Sequence, residues 1–279
     1  MSLGSNRTIN IAGELLSFDP PMVMGVINVT PDSFFVESRK TALVDILKDA
    51  ENMLEEGAAI IDIGGYSSRP GATDISIEEE IRRIEKPILQ LAKEFPNAVI
   101  SIDTFRSEVA SAAVGHGAKM INDISAGNLD QKMLPTVSSL KVPYIGMHMK
   151  GTPQTMKDMA QYEDVLIDVR KYFSKLKAEC VRQGINDLII DPGFGFAKTP
   201  PHGFELLSKL ELLDALDCPV LIGVSRKSMI YKTLEIDAAN SLNGTTVLNT
   251  IALLKGASIL RVHDVRPAVE AIKLVQQLR

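Results

Sequence analysis

The chain has 279 residues, 45% apolar and 23% charged, with a net charge of −5 at pH 7, the make-up of an ordinary folded globule. That acidic balance, without basic runs interleaved with aromatics, argues against a nucleic-acid partner. No apolar run approaches the ~18 residues that span a bilayer, and the opening residues are too polar for a secretion signal, so a cytoplasmic protein with reduced cysteines (Cys180 and Cys218) and no membrane partner is expected. Residues 8–18 read as a hairpin turning near Gly13, placed to cover one end of a core. From residue 22 one pattern repeats: an apolar run ending in a polar residue, a glycine-containing loop, an amphipathic helix. Strands are expected at 22–28, 59–64, 99–103, 119–122, 143–148, 188–191, 219–224 and 258–263, with helical patterns between them at 42–56, 77–95, 108–115, 162–183, 204–213 and 241–255.

Continuous Val/Ile/Leu runs mark strands buried on both faces, as parallel strands are. Eight βα units in ~250 residues is the arithmetic of an α/β (β/α)8 TIM barrel. The expectation is one domain over residues 1–279, with a hairpin segment at 1–20. A doubly wound sheet with a second domain is the rival, but no composition break or linker divides the chain. The loops at 31–41 and 66–76 are long enough to act as lids.

In such a barrel, chemistry gathers at the C-terminal ends of the strands. Those ends carry Asn28, Asp62, Asp103, Asn122 with Asp123, His148, Asp191, Ser225-Arg226-Lys227-Ser228, and Arg261 with His263. A single polar strand end is ordinary; eight in succession are not. Because residues i and i+2 share a strand face, Ser101 goes with Asp103, Met120 with Asn122 and Ile189 with Asp191. Asp103, Asn122 and Asp191 together suit the N–H-rich edge of a flat amino-substituted heterocycle, since carboxylates accept and an amide does both. The 225–228 stretch opens a helix, where cations oppose the dipole unless an anion is bound. Lys227 is the stronger candidate for the mouth, and Arg226 is expected to point into water. Asn28 is a neutral oxygen ligand suited to Mg2+ on a diphosphate. His116 and His202 read as structural, and Met147 and Met149 as wall or core. No Gly-x-Gly-x-x-Gly, Walker or Gly-x-Ser-x-Gly pattern occurs, which weakens nicotinamide, ATP and serine-hydrolase readings.

The stretches Met24–Phe34 (Met-Gly-Val-Ile-Asn-Val-Thr-Pro-Asp-Ser-Phe), Ile61-Asp-Ile-Gly-Gly65 with Ser67-Ser-Arg-Pro-Gly71, Ser101-Ile-Asp103, Ile121-Asn-Asp-Ile124, Met147–Met156, Asp191-Pro-Gly193, Ser225–Ser228 and Arg261-Val-His-Asp264 resemble the dihydropteroate synthases of folate synthesis, in the family's order, from about Pro21 onward. The resemblance implies a barrel that joins 6-hydroxymethyl-7,8-dihydropterin diphosphate to p-aminobenzoate, with sulfonamides competing for the second site. It implies pterin binding by Asp103, Asn122, Asp191 and Lys227, and diphosphate binding by Asn28, Arg261 and His263, with Mg2+ on Asn28. A p-aminobenzoate pocket bordered by Ser68, Arg69, Pro70 and Ser228, with Phe196 nearby, follows in the same way, as does a homodimer through outer helices. This chain departs from the family's pattern at Phe35 to Ser38, at Tyr66, and at Phe194 and Ala197, where Ile and Gly are usual. Three other readings remain: a pterin-dependent methyltransferase, an aldolase with Lys227 as Schiff-base nucleophile, and a pterin-binding module without activity.

Overall fold

The structure is a computed structural model and describes residues 8–29, 38–67, 74–156 and 158–278. Strands β1 (Thr8–Ile11) and β2 (Glu14–Ser17) form an antiparallel hairpin around a turn in which Ala12 and Gly13 take positive φ. Eight parallel strands follow: β3 (Met22–Asn28), β4 (Ile60–Gly64), β5 (Val99–Asp103), β6 (Met120–Asp123), β7 (Tyr144–Met147), β8 (Leu188–Asp191), β9 (Leu221–Ile222) and β10 (Ile259–Val262). Each strand from β3 to β8 pairs with the next in sequence, and β3 also pairs with β10, which pairs with β9. The ring closes between β8 and β9 through an Ile190–Val220 bridge, with Ile190 N–H donating to Pro219 O at 3.0 Å. β9 is shorter than the expected 219–224: Pro219 has no N–H to give the ladder, and Val220 makes only the isolated bridge to Ile190. The protein is a (β/α)8 barrel with an N-terminal hairpin.

The helices are α1 (Ser38–Glu55), α2 (Ile77–Glu94), α3 (Ser107–Gly115), α4 (Met133–Leu140), α5 (Val165–Gln183), α6 (Pro200–Ser208), α7 (Ser228–Tyr231), α8 (Leu242–Leu254) and α9 (Val265–Gln276). Their ends are written in the sequence. Ser76 caps α2, and Asp164 caps α5 by accepting from Ile167 N–H at 2.9 Å. Gly184 ends α5 in the left-handed region. His116 is the C-cap residue of α3, and His202 sits in the capping box of Thr199 at the start of α6. Both therefore serve structural roles. The expected single helix at 204–213 is a correction. α6 starts earlier, at the Thr199 cap, and ends at Ser208, and a 3-10 segment runs over Leu210–Leu216. Phe204, Leu207, Leu210 and Leu213 recur every three residues, which is the 3-10 period rather than 3.6.

Strand alternation sorts side chains into two environments. Outward residues such as Ile61, Ile63, Ile100, Ile102, Ile121 and Ile190 pack with the helices. Inward residues near the strand starts form a dry plug: Met24, Ile60, Met120, Ile145, Ile189, Leu221 and Ile259, closed from below by Ile9, Ile11 and Phe18 of the hairpin segment. Two residues further along four of these strands the inward positions are Asp62, Asn122, Asp191 and Arg261; on β5 the buried Ser101 holds the intermediate position and Asp103 follows it. Among the described residues, no helix is long and apolar enough to cross a membrane.

Candidate active site

Asp62, on β4, is the hub of the inward polar layer. It is fully buried, and its Oδ2 accepts from Asn122 Nδ2 at 2.9 Å and from Arg261 Nε at 2.7 Å. A carboxylate can only accept, so it draws the amide nitrogen of Asn122 toward itself and leaves Asn122 Oδ1 available as an acceptor. Arg261 Nη2 reaches Asp103 Oδ2 at 2.7 Å. One guanidinium thus bridges two acids on neighbouring strands, an arrangement that offsets much of the cost of burying all three. Burial, together with the carboxylates of Asp62, Glu80 and Asp123, still raises Asp103 to about 7 against the pull of Arg261.

Asp191 ends β8 and is also buried. Burial raises its proton affinity, while Lys227, the Gly193 N–H at 2.7 Å, Arg261 and Lys198 oppose the shift. Lys227 responds in turn: burial lowers it to about 8, with Asp191 pulling the other way. Asp191 and Lys227 therefore share one mouth, as the sequence reading requires. The Lys227 ammonium donates to Phe194 O at 2.5 Å and lies 4.8 Å from the centre of the Phe196 ring. Arg226, expected in water, is instead held bidentately by Asp264 at 2.8 Å and donates to the Ala238 and Ala239 carbonyls. With a positive φ it turns away from Lys227, so of the two cations only Lys227 enters the mouth.

Ser225 and Ser228 flank Lys227 on the loop after β9, and His263 follows the neighbouring strand β10. Ser225 Oγ and His263 Nδ1 are 3.0 Å apart, and the His263 N–H donates to the same hydroxyl. Ser228 begins α7, a single turn. Asn28 ends β3 and is exposed; its Oδ1 stands 3.6 Å from where a β-carbon on Gly64 would lie, with Asp103 on the other side of that point. Ser68, Arg69, Pro70 and Phe35 lie outside the described residues. Tyr66, where the family pattern has Glu, stands edge-on to Phe105 at 5.0 Å beneath the Arg106 guanidinium. Phe194 is fully buried, and Ala197 takes φ +46°.

Three features were not assigned a role from the sequence. Asp62 was legible as a strand-end acid, but its hub position depends on barrel register. Asp123 faces outward, where it accepts from Tyr144 Oη, Ser125 and Gly127 and folds the loop after β6. Lys198 is buried beside Asp191; burial lowers it to about 7. A wall of Ile124, Met147, Met149, Met156 and Ala197, with Phe105, Leu129 and Phe196 packed against it, completes the mouth. This wall offers a flat ring apolar contact beside acceptors for its edge. A separate cavity of about 220 Å3, among Ile9, Cys180, Asp187 and Cys218, lies at the hairpin end and contains none of these groups.

The chain has counterparts elsewhere. The chain is 40% identical over 266 residues to the dihydropteroate synthase of Escherichia coli (strain K12), covering 95% of this chain and 94% of that one. Its fold superposes on Yersinia pestis dihydropteroate synthase in complex with a sulfonamide drug, with a TM-score of 0.91, 37% identity and coverage of 98% and 99%. Against Xanthomonas albilineans dihydropteroate synthase with 4-aminobenzoic acid the TM-score is 0.90, with 38% identity and 98% of each chain covered. Residues 24–263, from the inner face of the first barrel strand to the histidine on the rim, match the model for pterin binding enzymes, and the chain belongs to that family.

Proposed function

We infer that this chain is a dihydropteroate synthase, which condenses 6-hydroxymethyl-7,8-dihydropterin diphosphate with p-aminobenzoate to give 7,8-dihydropteroate and diphosphate. The observation that carries this reading is the meeting, in one mouth, of Asp103, Asn122 and Asp191 with Lys227 and Arg261. The two acids and the Asn122 carbonyl accept from the N–H edge of the pterin, Lys227 donates to its acceptors, and the Met-rich wall takes its face. Asn28, Arg261 and His263 take the diphosphate. Phe196 and Ser228 border the p-aminobenzoate ring, together with Ser68, Arg69 and Pro70. Sulfonamides, as analogues of that ring, compete there.

In the reaction the methylene C–O bond breaks and its electron pair leaves with the diphosphate. The cation left on the pterin methylene is spread over the ring and stabilised by Asp103 and Asp191. The arylamine nitrogen then forms the C–N bond and releases a proton. An arylammonium is acidic enough that no strong base is required. Mg2+ fits at Asn28, whose exposed neutral oxygen suits a hard cation that takes one or two protein ligands and completes its shell with phosphate and water oxygens; bound there, it would neutralise charge on the leaving group. A homodimer is part of the same proposal. Val247 and Leu254 on α8 and Leu274 on α9 are exposed apolar residues on helices that pack together, and light scattering at assay concentration reads the mass.

The test is turnover with both substrates, following diphosphate release and pteroate formation together. Stoichiometric release that depends on p-aminobenzoate is expected. Binding of a pterin regardless of its diphosphate, with no release, would overturn the reading in favour of a methyl-transferring or non-catalytic relative.

A further inference from the structure

The loop leaving β8 is built around a buried lysine that the mechanism above does not use. Lys198 Nζ lies 2.8 Å from His148 Nδ1 and donates to the carbonyls of Gly193 at 3.1 Å, His148 at 3.2 Å and Phe196 at 3.2 Å. Carbonyls can only accept, so the lysine donates to all three, which engages the three N–H groups of an ammonium, and the His148 ring nitrogen lies beside it. Burial and the positive charges of Lys198 and Lys150 keep that imidazole neutral. A buried ammonium is tenable only with partners; here the three carbonyls and the ring nitrogen, gathered from two loops, surround it.

Those partners are brought in by an unusual backbone. Gly193, Gly195 and Ala197 all take left-handed φ, at +71°, +79° and +46°, so the chain reverses at every second residue. A β-carbon on Gly193 would stand 2.2 Å from His148 O, so only glycine permits this approach. Phe196, between two of these reversals, has no sheet partner. Its position rests on its carbonyl bond to Lys198, its N–H bond to Gly193 O at 3.1 Å, its ring contact with Lys227 and its packing against the methionine wall. Asp191, by contrast, is held in the β7–β8 ladder, with the His148 N–H on its carbonyl at 2.9 Å.

We propose that Lys198 is a positioning residue for the p-aminobenzoate half of the site, fixing the Phe196 ring against Lys227 by gathering the carbonyls of His148, Gly193 and Phe196. This rests on the placing of p-aminobenzoate against Phe196 made above. Lys198 touches neither substrate and acts through the loop.

The test compares the full-length protein with its Lys198→Met variant. The KM for p-aminobenzoate should rise at least tenfold, while the Kd for the pterin diphosphate stays within threefold. A purely structural residue would lower the unfolding temperature and the active fraction and leave both constants unchanged. In a double-mutant cycle, Phe196→Ala raises the p-aminobenzoate KM in the wild-type background and adds little in Lys198→Met. Hydrogen exchange supplies a readout independent of turnover: amides of residues 193–197 should exchange at least tenfold faster in Lys198→Met, with β6 unchanged. If Lys198→Met does not fold, His148→Leu, which deletes one of the four partners, should move the same quantities in the same direction by less. Unchanged exchange at 193–197, or an equal rise in both substrate constants, would overturn the proposal. A wild-type protein that makes no product while its variant shows the faster loop exchange would instead sink the enzymatic reading and leave the lysine's role standing.

Discussion

The two layers inside the barrel lie one side-chain repeat apart, yet they are opposite solvents. Near the strand starts, Met24, Ile60, Met120, Ile145, Ile189, Leu221 and Ile259 pack with one another, with Met22, Ala59 and Val99, and with the hairpin segment. Two residues further on, four of these strands carry Asp62, Asn122, Asp191 and Arg261; Asp62, Asn122, Arg261 and Asp103 of β5 form a network of charge-assisted bonds, and Asp191 accepts from the Gly193 N–H. The dry layer supplies stability: each fully buried aliphatic side chain contributes about 1.5–3 kcal/mol. The charged layer consumes some of it, because acids such as Asp103 and Asp191 are held where burial penalises their ionised forms. A barrel can carry such a layer only above a floor that water does not enter. The hairpin, peripheral in sequence, is therefore part of what makes the mouth possible.

Moving a charge down one layer breaks this division most sharply. In Ile60→Asp, a carboxylate would stand among Met24, Met120 and the hairpin without a cation, at a cost of several kcal/mol per unpaired ion. The variant should fail to give soluble folded protein, and a folded product within about 2 kcal/mol of wild type by urea titration would refute the two-solvent picture. Ile189→Ala, two residues before Asp191, removes aliphatic volume from the floor. It should cost about 2–5 kcal/mol, with both substrate constants unchanged within twofold at a temperature where the protein remains folded.

On the same strand, Asp191→Asn should do the reverse. It keeps the shape of the side chain and removes the negative charge, so pterin diphosphate affinity should fall about 100-fold, near 2.7 kcal/mol. The p-aminobenzoate KM should change little. Equal losses for both substrates would place Asp191 elsewhere in the reaction. The elevated proton affinity of Asp103 gives a related, smaller effect. Below about pH 7 it takes up a proton and stops being a full acceptor, so pterin affinity should fall by up to about tenfold per pH unit on the acid side. Asp103→Asn should flatten that limb. Stability moves in the opposite sense. The folded state keeps a proton that the unfolded chain releases, so this group's contribution is greatest below its ordinary carboxylate range and is lost as pH rises toward 7.

The layers were not equally legible. Apolar runs ending in Asn, Asp or Arg give both the strands and the face on which the polar group sits, because alternation has a period of two. Thus Asn28, Asp103, Asn122, Asp191 and Arg261 could be read at the strand ends. Their pairing could not: that Arg261 bridges Asp62 and Asp103, 199 and 158 positions away, requires the ring to close with β10 beside β3. Arg226 and Lys227 are adjacent, and only the positive φ at Arg226 sends one to Asp264 and the other to Phe194 O. Lys198 was least legible, since its partners are mainly backbone carbonyls, whose directions depend on dihedrals rather than on residue type.

The smallest expected effect tests how firmly that loop is set. Ala197 holds φ +46°, where an L-residue is strained by roughly 1 kcal/mol and the family's usual glycine is not. Replacing it with glycine would relieve the strain. The unfolded chain would gain about 0.4–1 kcal/mol of entropy, and the methyl, buried with Met147, Met149 and Met156, would be lost at about 0.8 kcal/mol. These contributions nearly cancel, so Ala197→Gly should shift stability by no more than about 1 kcal/mol by urea titration. Ala197→Val sharpens the contrast, because a β-branched side chain at positive φ has no relaxed rotamer and the wall has no room for it. If valine were tolerated as well as glycine, the alternating left-handed backbone would be a loose feature of the loop, and the carbonyls it directs at Lys198 would not be fixed by it.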